Sequence, residues 1–203
     1  MTDILKIKGD WEEVVNDCRV TVGKEELGHE PSSDFKRRIL IAEHSPIRDI
    51  SVRWKWQYMP HWVTTHWARH KFEKFIQTLR TDRTGIPRDK LPQDFPQTFV
   101  GEANSQQLID AFRKRLCRKS APETRAYAEN FKRELHSYQP ELSDTLVPHC
   151  IYRGGCSEME PCGYWEEFVQ WCVDRAVDVQ ALSIRKRYEM YNLYFWSGRK
   201  KHI

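Results

Sequence analysis

The chain has 203 residues, a net charge of +4, 31% charged residues and 12% aromatic residues, eight of them Trp. That composition is globular rather than disordered, long enough for one domain over 1–203 with a sizeable core, and too mildly basic to announce a nucleic-acid binder. No apolar run reaches membrane length and the start lacks a signal-peptide layout, so the expectation is a cytoplasmic protein whose six cysteines are free, metal-bound or reactive.

In chain order, residues 1–36 mix charges with scattered apolar positions, and Gly28 to Asp34 reads as a loop. Ile39 to Ala42 is a short apolar run compatible with a strand or a helix end, and His44-Ser45-Pro46 is a turn, because the residue before proline is pushed out of helical space. From Asp49 to Tyr58 the residues alternate: Ile50, Val52, Trp54, Trp56 and Tyr58 share one face, and Ser51, Arg53, Lys55 and Gln57 the other. This predicts a half-buried strand.

His61 to Arg83 has no Gly or Pro, and Trp62, Val63, Phe72, Phe75, Ile76 and Leu79 fall mostly at helical spacings, which predicts one long helix. Such a helix presents Arg69, His70, Lys71, Arg80 and Arg83 as a rigid cationic platform suited to an anion, most often a phosphate. Charge alone favours a solvated basic face. Thr84 to Phe99 holds Gly85, Pro87, Pro92 and Pro96 and is expected to be an irregular, functional connection.

Asn104 is placed to cap a helix through Leu108, Ile109, Phe112 and Leu116, and Ser120-Ala121-Pro122-Glu123 resembles a second helix start. Tyr127, Phe131 and Leu135 recur every four residues, which marks a buried helix face. Pro140 and Pro148 bracket a short piece, Trp165 to Leu182 reads as helix, and the tail from Ile184 is rich in Tyr, Trp and basic residues.

Two further signals have competing readings. Cys150, Cys156 and Cys162 are spaced C-x5-C-x5-C beside His149, a donor set that satisfies tetrahedral zinc, although adjacent ligands such as His149 and Cys150 strain that geometry. Free or structural cysteines are the alternative. The run Arg113 to Lys119 reads either as a backbone-binding surface for nucleic acid or as Arg115 aimed at a site with solvated neighbours; the mild net charge favours the latter.

Taken together, Arg69-His70-Lys71 and Thr78-Leu79-Arg80-Thr81 resemble the Arg-His-Arg and Ser-x-Arg-Tyr elements of the flavin-dependent thymidylate synthases. His44-Ser45-Pro46 resembles that family's Thr-Pro turn, and Arg88-Asp89-Lys90-Leu91-Pro92 its Arg-x-x-Leu-Pro. Asn104, Arg115 and Glu123 follow in the family's order, so the likeness spans residues 38–135, with the Cys-rich segment and aromatic tail of 149–203 outside it.

The resemblance implies an α+β fold, a mixed or antiparallel sheet packed with long helices, in a homotetramer with sites at subunit junctions. It implies FAD, held by Ser45, Arg48, Arg69, His70, Lys71, Asn104, Gln106 and Asp110. A pyrimidine nucleotide monophosphate would be bound by His66, Thr78, Leu79, Arg80, Arg88 and Arg115, with Arg115, Arg80 and His66 at the chemistry. The implied reaction is transfer of a one-carbon unit from methylenetetrahydrofolate to C5 of dUMP, with NADPH as reductant.

This chain departs from the family pattern with His66 for a Gln, Thr78 for Ser, Asp110 for Asn and Arg48 for Glu, the last two offering a compensating charge swap. The departures leave open a related C5 modification such as hydroxymethylation, a fold whose chemistry is lost, or a non-catalytic nucleic-acid module. A structural zinc at the cysteines would be an addition to the family pattern.

Overall fold

The computed structural model describes residues 2–198; the basic end of the aromatic tail, residues 199–203, lies outside them. Its strands are β1 (Thr2–Lys8), β2 (Ser51–Pro60), β3 (Glu73–Ile76) and β4 (Pro96–Asn104). Its helices are α1 (Trp11–Val20), α2 (Ser33–Ala42), α3 (His61–Ala68), α4 (Thr81–Thr84), α5 (Ser105–Arg115), α6 (Pro122–His136), α7 (Pro140–Thr145), α8 (His149–Arg153), α9 (Tyr164–Val173) and α10 (Ile184–Ser197). The four strands form one sheet in the order β1-β2-β4-β3, and every pairing is antiparallel. The expected α+β class holds, and the sheet is antiparallel throughout.

β2 is a central strand, and its alternation places Val52, Trp54 and Trp56 wholly in the core while Arg53 and Lys55 sit on the other face. Gly101, opposite Trp54, carries no side chain because a Cβ there would meet the indole at 2.3 Å. The alternation fails at Tyr58. A register shift between Trp56 and Met59 inserts an extra residue in β2, Tyr58 takes φ 54°, and its side chain is 78% exposed while Met59 takes the core position.

The long helix expected over His61–Arg83 is also corrected. Helix α3 stops after Ala68, the chain turns through Arg69 to Phe72, and Glu73–Ile76 adds to the free edge of β4 as β3. Periodicity could not show that edge, whose unpaired backbone groups are satisfied by the pairing. Lys74 closes the turn by donating to the carbonyls of His70 and Phe72.

Ile39 to Ala42 is the end of α2, which is capped by Ser32 and starts at Ser33, inside the expected Gly28–Asp34 loop. Asn104 caps α5 with a full capping box, its side chain accepting from the Gln107 N–H while Gln107 returns the bond. Helix α6 begins at Pro122 as expected and buries Phe131 and Leu135 completely. The helix expected from Trp165 to Leu182 ends instead at Val173, because Ala176 turns left-handed and the Val177 N–H closes onto the Cys172 carbonyl.

Two hydrophobic clusters result. One surrounds the sheet, and the other joins Ile151, Phe168, Cys172, Tyr188 and Tyr191 from α8, α9 and α10. Lys132 of α6, fully buried, helps bind this second cluster by donating to the Ser143 carbonyl and to Asn192 Oδ1, and burial pushes its ammonium pKa down to about 7. Among the described residues no helix is long and apolar enough to cross a membrane.

Candidate functional site

The site grows from the junction of α3, the turn after it, and the last turn of α5. Trp67 is buried in the core and fixes α3, so that His66 and the Arg69–Lys71 turn emerge beside α5. The Gln107 side chain donates to the Lys71 carbonyl and ties that turn to the start of α5. Eight residues further along α5, Arg115 donates through Nε to His70 Nε2 at 2.7 Å and through a terminal nitrogen to the His66 carbonyl. His66 Nδ1 is held 2.7 Å from the hydroxyl of the buried Thr124 on α6.

The electrostatics are one-sided. Burial, then Arg115 and Lys74, push His70 down to about 4, so at neutral pH it is an uncharged acceptor for Arg115. Burial, then Arg115 and Arg69, also lower His66, with Glu123 acting in the opposite sense. Burial and the nearby Arg69 lower Arg115 itself. Arg115 therefore has neutral partners and a second cation, Arg69, nearby, and neither arginine makes an ion pair with a carboxylate among the described residues. A dianion is the group that would relieve this arrangement.

Arg113, two residues earlier on α5, is the opposite case. It is buried, forms a two-pronged pair with Glu43, and lies 3.7 Å over the Tyr152 ring. Burial opposes its charge, but the bond and charge of Glu43 leave its pKa raised.

The expected substrate residues fall into two groups. His66 and Arg115 are together as described. Thr78, Leu79, Arg80 and Arg88 lie in the excursion between β3 and β4, where the Arg80 N–H donates to Thr78 and the Arg88 N–H to Thr81. Arg80 is exposed and paired with Asp82 at 3.0 and 2.8 Å, and Arg88 is exposed with no side-chain ion pair among the described residues. No hydrogen bond or ion pair among the described residues joins this excursion to His66, His70 or Arg115.

The expected cofactor residues gather around α5. Ser45 and Arg48 lie on a short 3-10 turn, Ser45–Asp49, that packs on α5, and the Ser105 N–H and hydroxyl both donate to the Ile50 carbonyl. Arg48, Arg69 and Lys71 are exposed and carry no ion pair among the described residues. Asn104 spends its side-chain oxygen on the helix cap. Gln106 donates to Glu43 at 2.7 Å and to Asp110 at 3.3 Å. The expected Arg48–Asp110 swap is not what Asp110 makes: its cationic neighbour is Arg113, at 3.5 Å. Arg48, Arg69 and Lys71 are thus cations left for an anionic ligand, while Asn104 and Gln106 already have partners within the fold.

The cysteines converge further than their spacing predicts. Cys150, Cys156, Cys162 and His149 line one small pocket of about 10 Å³, and Cys117, in the turn after α5, lines it with them. Burial and then the neighbouring thiols, Cys117 first, push Cys150 up to about 12. As the side chains stand, no three His, Cys, Asp or Glu among the described residues are already set to hold a metal ion. Sequence reasoning missed Cys117, Thr124 and the Glu43–Arg113 pair. Cys117 stands more than thirty residues before Cys150 and carries no motif signal beyond its place next to Arg115.

A cavity of about 460 Å³ lies elsewhere, between α2, α7 and α10, lined by Arg37, His136, Asp144 and Arg185 among others. None of the expected site residues lines it.

No protein-family model and no curated protein matches this sequence. Solved structures do share its fold, an α+β fold seen in enzymes of pyrimidine nucleotides. One is a UMP/dUMP methylase, PolB, from Streptomyces cacaoi, bound with 5-Br dUMP: 13% identity, TM-score 0.58, covering 71% of this chain and 93% of that one. Another is the flavin-dependent thymidylate synthase ThyX from Helicobacter pylori, complexed with FAD and dUMP: 12% identity, TM-score 0.59, covering 72% of this chain and 99% of that one.

Proposed function

We propose that this chain is a flavin-dependent enzyme that transfers a one-carbon unit from methylenetetrahydrofolate to C5 of dUMP, with NADPH as reductant. The observation that carries the reading is Arg115, whose guanidinium is held by the uncharged His70 ring and the His66 carbonyl with no carboxylate partner among the described residues and with the cation Arg69 nearby, in a fold shared with enzymes that bind dUMP. Arg115 binds the uracil or the phosphate as an always-charged donor, and His70, uncharged, holds its guanidinium in place without neutralising it. His66, fixed by Thr124, offers a ring nitrogen to the base. Thr78, the Leu79 backbone, Arg80 and Arg88 hold the nucleotide phosphate from a second copy of the chain. A homotetramer would bring together these two groups, which no hydrogen bond or ion pair among the described residues joins within one chain.

FAD, when bound, supplies the redox chemistry, and the chain supplies binding and orientation. Arg48, Arg69 and Lys71 hold its pyrophosphate, while Ser45, Asn104, Gln106 and Asp110 line its ring system. The carboxylate of Asp110 next to Arg113 keeps its charge compensated from within the chain.

The test is the visible spectrum of the purified full-length protein after FAD addition and desalting, followed by turnover assays with dUMP and with UMP. Retained flavin bands and folate- and NADPH-dependent formation of the 5-methyl nucleotide are expected. A protein that retains no flavin, with dUMP present or absent, overturns the proposal.

A further inference from the structure

We propose that Cys117, Cys150, Cys156 and Cys162 hold one zinc ion as four thiolates, with Cys117 rather than His149 as the fourth ligand. Four of the chain's six cysteines face a single pocket of about 10 Å³, the size of one small guest. The other two are elsewhere, Cys18 on α1 and Cys172 inside α9. Convergence from three separate segments is not a by-product of one helix face: Cys117 comes from the turn after α5, Cys150 from α8, and Cys156 and Cys162 from the connection to α9.

The connection itself supplies the second observation. Between Arg153 and Gly163 the residues that turn away from solvent are Gly155, Cys156 and Cys162, while Met159 is fully exposed. No hydrophobic side chain in this stretch anchors it to the body; beside an exposed Glu160–Lys119 pair at 3.7 Å, the two cysteines are the side chains it turns inward. Left-handed glycines at both ends, Gly154 and Gly163, shape the loop that carries them inward. His149 lines the same pocket with its Nδ1 buried and unpartnered among the described residues, ready to donate to a thiolate sulfur.

His149 is not the better ligand. It is adjacent to Cys150 on one helix, where successive side chains diverge by about 100°. As the side chains stand the sulfurs are not closed on a centre, so binding requires them to turn inward. On binding, each thiol yields its proton to solvent and the ion accepts four sulfur lone pairs, with no redox change. Soft sulfur donors in a tetrahedral set select zinc. The ion would staple the second hydrophobic cluster to the last turn of α5, two residues from Arg115. The inference does not depend on the proposed catalytic function.

The test is metal analysis of the full-length protein purified without chelator, together with its Cys117→Ser, Cys156→Ser, His149→Gln and Cys18→Ser variants. About one zinc per chain is expected in the parent, His149→Gln and Cys18→Ser proteins, and loss of most of it in the two ligand variants. Should those variants fail to fold, cobalt substitution of the parent decides, with intense thiolate-to-metal charge-transfer absorption as the expected result. Zinc retained in Cys117→Ser, or a folded parent that takes up neither zinc nor cobalt, overturns the proposal. Bound zinc with no flavin retention would leave this inference standing while the catalytic reading fell.

Discussion

The two faces of α5 carry arginines two residues apart that behave as different kinds of group. On the face toward α2 and α8, Arg113 is buried, paired with Glu43 and stacked on Tyr152. On the face toward α3, Arg115 bonds to a neutral imidazole and a carbonyl and lies near a second cation, Arg69. The first is satisfied within the fold, so it joins elements. The second is positioned but not neutralised, which is the state expected of a group waiting for an anionic ligand. An arginine's partners, more than its burial, separate a structural role from a binding one.

That contrast predicts opposite outcomes for the two substitutions. Arg113→Ala removes one partner of a buried pair and strands Glu43, and a loss of about 3 kcal/mol in unfolding free energy is expected from denaturant titration. A change below about 1 kcal/mol would place Arg113 with the exposed pairs instead. Arg115→Met, by contrast, is expected to weaken dUMP binding by about 10- to 100-fold, the worth of one charged hydrogen bond, while costing less stability than Arg113→Ala because it strands no carboxylate.

The neutral state of His70 sharpens the comparison further. Its folded pKa, about 4, is below the ordinary 6.5, so between these values the unfolded chain takes up a proton that the folded chain refuses. Its contribution is therefore unchanged above about pH 6.5 and is lost progressively as pH falls toward 4. The melting temperature of the parent should drop over that window more steeply than that of His70→Asn. Parallel curves would show that His70 is already charged beside Arg115. At the start of α5, Asn104→Ala should cost about 1 kcal/mol through the lost cap, and Asn104→Asp should restore it. Calorimetric melting reads both, and flavin retention in the Asp variant isolates any cofactor role from the cap.

The legible parts of this chain are those governed by local rules. The alternation of Val52, Trp54 and Trp56 and the Asn104–Gln107 box each specify their element within a few residues. The stretch after Ala68 was not legible, because β3 exists only by pairing with β4, more than twenty residues later in sequence. Tyr58 misled for a related reason: a bulge in β2 is visible only against its partner strand. For the site, His66, His70 and Arg115 came into view through the family resemblance, and the fold brings them together. Arg80 and Arg88, drawn from the same resemblance, stay in a separate excursion. Cys117 had no local signature, since its partners arrive from two later segments.

The most direct measurement is a calorimetric titration of dUMP into the FAD-supplemented parent protein and into Arg115→Met, with unfolding curves recorded on both. Binding by the parent and a loss of at least about tenfold in the variant, with the variant still folded, is the predicted result. Equal affinity in the two proteins would contradict the assignment of the Arg115 pole as the nucleotide site.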